Sequence, residues 1–253
     1  MARRLGQHFL ARKSILDHIA SAACGSGVPL VIEIGPGKGA LTEPLLALAA
    51  KVVAIEVDPY LVHYLRQKFA DPIAEGRLIL VEGDVLKTDL VAWGPAVVAG
   101  NLPYYITSPI LERLFQISGQ WTRAVFLVQS EVADRLAASP GTRDFGYLSV
   151  QTQLFARPEI LFPVSRTAFR PPPKVDSAVI RLEPRDAFSD LQIGDSSAFL
   201  RFASACFRQK RKTLRNNLAP VYGHERVDSL PEARLRAEQM SLADLAALYR
   251  KLS

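Results

Sequence analysis

The sequence predicts an α/β fold: a doubly wound sheet of seven strands, mixed because its last two strands pair antiparallel at one edge, followed by a small all-helical domain. Two observations predict the sheet. The first four apolar runs are continuous rather than alternating, as strands buried on both faces must be, and helical stretches lie between them, which makes right-handed βαβ units. A change of texture after Pro184 predicts the helical domain, because polar turn-like residues there give way to amphipathic helical patterns.

The strands are expected at 30–34, 51–56, 77–82, 96–100, 122–129, 147–156 and 175–182. Helices are expected between them at 40–49, 60–70 and 109–118, and beyond them at 196–208, 212–218 and 242–251. No long helical stretch separates the last two strands. The chain from 156 to 175 is proline-rich instead, so those strands are read as the antiparallel edge pair. The domain boundary is placed at residue 185, giving domains 1–184 and 185–253.

The composition excludes several classes. With 253 residues, 49% hydrophobic and 22% charged, the chain buries a real core and is not disordered. Cys24 and Cys206 form no CxxC motif, and the four histidines are scattered, so neither a disulfide framework nor a metal site is expected. Arg3-Arg4 has the look of an export signal, but His8, Arg12 and Lys13 interrupt any apolar segment after it. No stretch approaches the ~18 apolar residues of a spanning helix. A cytoplasmic protein without membrane contact is expected, and nothing suggests an obligate oligomer.

The net charge of +6 is unevenly placed. Residues 1–13 hold Arg3, Arg4, Arg12 and Lys13 with no acid. Residues 201–217 hold Arg201, Arg208, Lys210, Arg211, Lys212 and Arg215, again with no acid. Outside these blocks the chain is mildly acidic. Such blocks are either a footprint for a polyanion or solvated faces that aid solubility, and charge alone does not choose.

VIEIGPGKGALT runs from a strand into a helix, with Gly35, Gly37 and Gly39 spaced G-x-G-x-G rather than the G-x-G-x-x-G of nicotinamide sites. Glu33 precedes the loop. A carboxylate there repels a pyrophosphate but suits a ligand with a cationic amine or sulfonium. Glu56, at the end of the next strand, is placed to accept from ribose hydroxyls, and Asp84, just past the third, from an adenine amine. Singly, such residues are more often a structural turn and helix caps. Together, at the ends of three successive parallel strands, they line the crevice where open sheets bind ligands.

The fourth strand runs into Asn101-Leu102-Pro103-Tyr104. An exocyclic adenine amine is a poor nucleophile because its lone pair is delocalised into the ring. Hydrogen bonds to the Asn101 side-chain oxygen and the Leu102 carbonyl would favour the pyramidal form. Pro103 stiffens the loop, and Tyr104 offers a face to a flipped base. Phe169, which opens FRPPPKVDS, would close the base's other face. Taken alone, the first loop is more often an ordinary turn with its tyrosine packed on the core, and Phe169 reads as well as a hydrophobic plug before an edge strand.

LGQHFL at 5–10, EIGPGKGALTEPL at 33–45, IEVD at 55–58, GNLPY at 100–104, FRPPPKVDSAV at 169–179 and FRQKRKTLRNNL at 207–218 resemble the bacterial ribosomal RNA adenine dimethyltransferases of the KsgA/RsmA family across nearly the whole chain. The resemblance implies a class I (Rossmann-like) methyltransferase domain. It implies transfer from S-adenosylmethionine of two methyl groups to each of two adjacent adenosines, in a hairpin loop near the 3′ end of small-subunit ribosomal RNA. It further implies that His8, Leu10, Gly35, Gly37, Glu56, Asp84 and Asn101 surround the cofactor and that Tyr104 and Phe169 sandwich the adenine. The helical domain, with Arg208, Lys210, Arg211, Lys212 and Arg215, would grip RNA on an immature small subunit. Position 8 is His where the motif commonly has Asn, and position 105 is Tyr where Asn is common.

Three other readings compete. A methyltransferase acting on a large-subunit adenine would share the catalytic half, and the basic helix expected at 207–218 argues against it. A non-catalytic assembly factor would not need Glu56, Asp84, Asn101 and Tyr104 together. A nicotinamide dehydrogenase is disfavoured by the glycine spacing.

Overall fold

A computed structural model describes residues 8–103 and 106–253. Arg3, Arg4 and Tyr104, named above, lie outside the described residues. The strands are β1 (Phe9–Leu10), β2 (Val28–Ile34), β3 (Ala49–Glu56), β4 (Leu78–Glu82), β5 (Ala96–Asn101), β6 (Trp121–Gln129), β7 (Ala156–Val164), β8 (Phe169–Arg170) and β9 (Ser177–Pro184). The first unit also holds helices α1 (Lys13–Cys24), α2 (Thr42–Leu48), α3 (Pro59–Lys68), α4 (Ala70–Ala74) and α5 (Thr107–Gln116).

The seven-stranded sheet runs β4-β3-β2-β5-β6-β9-β7. The pairs from β4 through to β6 are parallel, and β9 joins β6 antiparallel. Val31, Val52, Val53, Ala54 and Val98 are buried, which explains why these strands read as unbroken apolar runs. β2 is the switch strand, since β3 and β4 extend the sheet to one side of it and β5 and β6 to the other. A crevice opens where two strand neighbours diverge in this way. Register sets Ile34 level with Ile55 and Gly100, so the glycine loop, Glu56 and Asn101 emerge side by side. Gly100 is confined by this packing: a Cβ there would lie 2.6 Å from the Ile34 carbonyl oxygen.

One expected strand is misplaced. Residues 147–156 form α7 (Tyr147–Phe155), and the strand follows it as β7. Tyr, Val, Thr and Phe favour strands, but the burial of Val150 and Leu154 has helical spacing. The Ser149 hydroxyl also accepts from the Gly146 N–H, which closes the first turn. β7 instead occupies the proline-rich stretch read above as a connection. Pro158 and Pro163 fit there because β7 is an edge strand, where a missing N–H need break no ladder bond.

The chain divides into two compact units, one of Met1–Ala133 with Pro158–Pro184 and one of Asp134–Arg157 with Arg185–Ser253. The break at Pro184 coincides with the change of texture, but the second unit also takes in Asp134–Arg157, which the sequence reading placed in the first domain. The reason is the same helix: α7 turns Val150 and Leu154 into a core of Phe199, Phe202, Leu218, Leu245 and Leu248. α6 (Ser130–Ala137) leads into this unit, and α8 (Ala187–Asp190), α9 (Ser196–Cys206), α10 (Leu214–Tyr222), α11 (His224–Asp228) and α12 (Leu242–Leu252) complete it.

Cys24 and Cys206 are buried and free, and burial pushes both thiols up, Cys24 to about 11. Both are unreactive packing residues. No helix among the described residues is long and apolar enough to cross a membrane, and none of their His, Cys, Asp and Glu side chains form a metal-binding cluster.

Candidate active site and its relatives

A cavity of about 520 Å³ opens at the carboxyl ends of β2, β3 and β5 in the first unit. It brings together His8, Leu10, Gly35, Gly37, Glu56, Asp84, Asn101, Leu102, Pro103 and Phe169, all named from sequence for the cofactor or the target base. Its size suits a nucleoside-based ligand.

The glycine loop is built by backbone conformation. Gly35, Gly37 and Gly39 all have positive φ, and a Cβ on Gly39 would lie 2.3 Å from the Phe69 ring. Only glycine permits both the turn and the close packing of α3 beneath it. Glu56 fixes the loop from the neighbouring strand. Its Oε2 accepts from the Gly37 N–H at 3.0 Å, and its Oε1 accepts from Val57 and Asp58 at 2.9 and 3.0 Å. Three of a carboxylate's roughly four acceptor directions are thus used. Oε2 is left as the oxygen with capacity for a ligand hydroxyl.

Glu33 is only 1% exposed, and the Thr42 hydroxyl donates to its Oε2 at 2.6 Å. Burial raises its pKa to about 8, against the Thr42 bond; the Glu56 charge adds to the rise and Lys68 opposes it. Burial thus favours the neutral form of Glu33 near pH 7. Asp84 holds its own turn, with Oδ1 accepting from the Leu86 N–H at 2.9 Å.

Asn101 ends β5, and its side-chain nitrogen donates to the His8 carbonyl at 3.3 Å. The side-chain oxygen is the atom left to accept from a target amine. The Leu102 N–H donates to the Leu127 carbonyl at 3.1 Å, which locks the start of the loop to β6. On the far wall, β1 pairs antiparallel with β8, setting Leu10 against Phe169 and Phe9 against Arg170. The His8 Nδ1–H donates to the Pro171 carbonyl at 2.8 Å. Histidine at position 8 is thereby given a definite task, tying the amino-terminal strand to the proline segment.

Phe169 lines the cavity yet is only 2% exposed, so it is wall and core at once. Sequence reasoning missed Phe9, Lys38, Val57, Val85 and Leu86 as lining residues. Val57 and Val85 do leave a signal, since each directly follows a strand-end acid read for the cofactor, Glu56 or Asp84.

The basic stretch at 207–218 is not one helix: the helix expected at 212–218 begins two residues later, as α10. Arg208, Lys210, Arg211 and Lys212 lie in an exposed loop between α9 and α10, and α10 starts only at Leu214. Buried Asn217 explains the loop. Its oxygen accepts from the Gln209 N–H at 3.0 Å, and its nitrogen donates to the Cys206 and Gln209 carbonyls at 2.8 and 3.2 Å. Asn217→Ala strands three backbone groups, and we expect it to cost the protein on the order of 2 kcal/mol in chemical denaturation. An unchanged midpoint would show that the loop holds itself. Arg215 differs from the other four, because it already forms a two-point ion pair with Asp228 at 2.5 and 2.9 Å.

The family model for ribosomal RNA adenine dimethylases matches residues 1–249. Ribosomal RNA small subunit methyltransferase A of Acidobacterium capsulatum is 44% identical, covering 98% of this chain and 90% of the relative. The protein of the same name from Xanthomonas euvesicatoria is 42% identical, covering 97% and 94%. Among solved structures, a dimethyladenosine transferase from Plasmodium falciparum superposes with a TM-score of 0.79 at 27% identity over 96% of this chain and 98% of the other. The 23S rRNA methyltransferase ErmE superposes with a TM-score of 0.70, also at 27% identity, over 96% and 99%. The chain belongs to the ribosomal RNA adenine dimethylase family.

Proposed function

We propose that this protein uses S-adenosylmethionine to dimethylate the exocyclic amines of two adjacent adenosines in the 3′-terminal hairpin loop of small-subunit ribosomal RNA. It would act as a cytoplasmic monomer on immature small subunits. The observation that carries the reading is the convergence of Glu33, Glu56, Asp84 and Asn101 on one cavity beside the glycine loop. The donor set fits the cofactor: three acids for a cationic nucleoside, and apolar Val57 and Val85 for its base.

The bound cofactor would supply an electrophilic methyl group. The Asn101 oxygen and the Leu102 carbonyl accept the two N–H bonds of the adenine amine and so localise its lone pair. By the family resemblance, Tyr104 and Phe169 would hold the ring between them and so fix the line of approach. No strong base is required, since the amine becomes acidic only as the methyl arrives, and its proton leaves to water. The exposed loop of Arg208, Lys210, Arg211 and Lys212 supplies cations for RNA phosphates in the second unit. Lys210 also donates to the Arg143 carbonyl, which anchors the loop's tip.

Methyl transfer to small subunits that lack the modification tests the reading. Dimethyladenosine in their RNA is the expected product; methylation of large-subunit RNA alone would move the protein to the function named for ErmE. Replacing Lys210, Arg211 and Lys212 together by Gln should weaken RNA binding and flatten its salt dependence by about two log units per log unit of salt. An unaltered slope would mark the loop as a solvated surface.

A further inference from the structure

The cavity wall is rich in acids, with Glu33, Glu56 and Asp84, and Lys38 is the cation in the same wall. In the same unit, three segments far apart in sequence, at 12, 38 and 166–174, bring exposed cations to the ribbon in the cavity wall. Lys38 stands over the Phe9 ring with Nζ 5.1 Å from its centroid, and Phe9 is paired in register with Arg170. The Ala11 N–H donates to the Ala168 carbonyl at 2.9 Å, so Arg12 leaves the same two-stranded ribbon. Arg166 and Lys174 flank the ribbon's other strand. Arg166 donates to the Lys174 carbonyl at 3.4 Å, and its own N–H donates to Asp176 Oδ1 at 2.8 Å.

Elsewhere on this unit Arg77, Arg123 and Arg181 each reach a carboxylate. Arg12, Lys38, Arg166, Arg170 and Lys174 form no ion pair among the described residues, although all are exposed. Asp176 is the acid beside them, and one of its oxygens is engaged with backbone. Unpaired cations carried on and around one ribbon make a field of one sign, which a polyanion would relieve. Their carriers are also stiff: a two-stranded ribbon tied by His8 to Pro171, followed by Pro172 and Pro173. A preorganised set of donors loses little entropy on binding.

We propose that Arg12, Lys38, Arg166, Arg170 and Lys174 form a phosphate-binding collar on this ribbon, through which the first unit itself holds the RNA strand beside the adenosine entering the cavity. This rests on the RNA-substrate reading above. The basic loop of the second unit is then not the protein's sole RNA contact. The ribbon carries Phe9, Leu10 and Phe169 in the cavity wall, so the collar's cations sit within a few residues of the mouth they would guard. Phosphates are shared by every sequence, so the collar positions the strand and the cavity selects the base.

The test is the salt dependence of binding to the 3′ hairpin RNA. Arg12→Gln, Arg166→Gln and Lys174→Gln combined remove three contacts. The slope of log affinity against log salt should fall by about two, at roughly 0.7 per single-strand phosphate, with at least about a tenfold loss of affinity at moderate salt. Binding of S-adenosylmethionine reports that the variant is folded. If the triple variant does not fold, Arg166→Gln and Lys174→Gln singly should each lower the slope by about 0.7. Lys51→Gln, at the end of β3 away from Glu56, is the control for general charge and should leave the slope alone. A wild-type slope in the collar variants overturns the proposal, as does an equal fall in the control. Wild-type protein that binds the RNA but transfers no methyl group would sink the functional reading while still testing the collar. Failure to bind RNA at all would overturn both.

Discussion

Asn101→Ala should lower methyl transfer on the order of 100-fold or more while leaving RNA affinity largely intact. The expectation rests on where the side chain is held. Its nitrogen is committed to the His8 carbonyl, so its oxygen is the acceptor offered to the target amine. Alanine removes that acceptor and leaves the amine's lone pair in the ring. A preorganised polar partner of the reacting group is worth about 10²–10³ in rate. The loss should fall equally on kcat and kcat/KM, because the bond matters most as the nitrogen pyramidalises. Asn101→Asp separates the two halves of the argument. It keeps an acceptor but sets a second oxygen against the His8 carbonyl, so its activity should lie between alanine and wild type. Near-normal turnover in the alanine variant, with RNA affinity unchanged, would remove Asn101 from the reaction.

Most of this site is legible in the sequence because it hangs on strand ends. Apolar runs locate the strands, parallel order puts their carboxyl ends on one edge, and whatever follows Ile34, Glu56 and Gly100 must therefore meet. The far wall is less legible. β1 and β8 are two-residue strands whose pairing joins segments 160 residues apart, and no periodicity announces a ladder so short. Phe9 and Lys38 consequently went unnoticed, and with them the collar. The second unit failed differently. The composition of 147–155 favours a strand, and only packing against Phe199 and Phe202 decides for a helix. The basic segment looked helical because charge is blind to Asn217, whose three hydrogen bonds fold it as a loop. Glu33 was legible as an acid but not as a neutral one, since protonation depends on burial that a sequence does not state.

That neutrality has a measurable result: cofactor binding near pH 7 should release about one proton, and Glu33→Gln should abolish the release. The two carboxyls of the site have different surroundings. Glu56 takes three backbone N–H groups, whereas Glu33 takes one hydroxyl and no cation pairs with it among the described residues. Burial is the largest influence on Glu33 and raises it from 4.5 to about 8; Glu56 pushes the same way, and Thr42 and Lys68 oppose them. His8, Lys38 and Asp84 are the other titratable groups in the cavity wall. A ligand bearing a sulfonium and an ammonium brings positive charge into this space and favours the ionised carboxyl. The pKa falls on binding, so affinity should rise with pH up to about 8 and then level off. Calorimetry in buffers of different ionisation enthalpy reads the proton directly, and binding heats independent of buffer would refute the coupling. The same shift acts on folding. A carboxyl that titrates at 4.5 when unfolded and at about 8 when folded contributes stability fully below the first value, and that stability is lost as pH rises through the second. Without cofactor, the wild type should therefore lose several kcal/mol between about pH 5 and about pH 9 that Glu33→Gln retains. Parallel pH profiles for the two proteins would mean that Glu33 is already charged in the empty cavity.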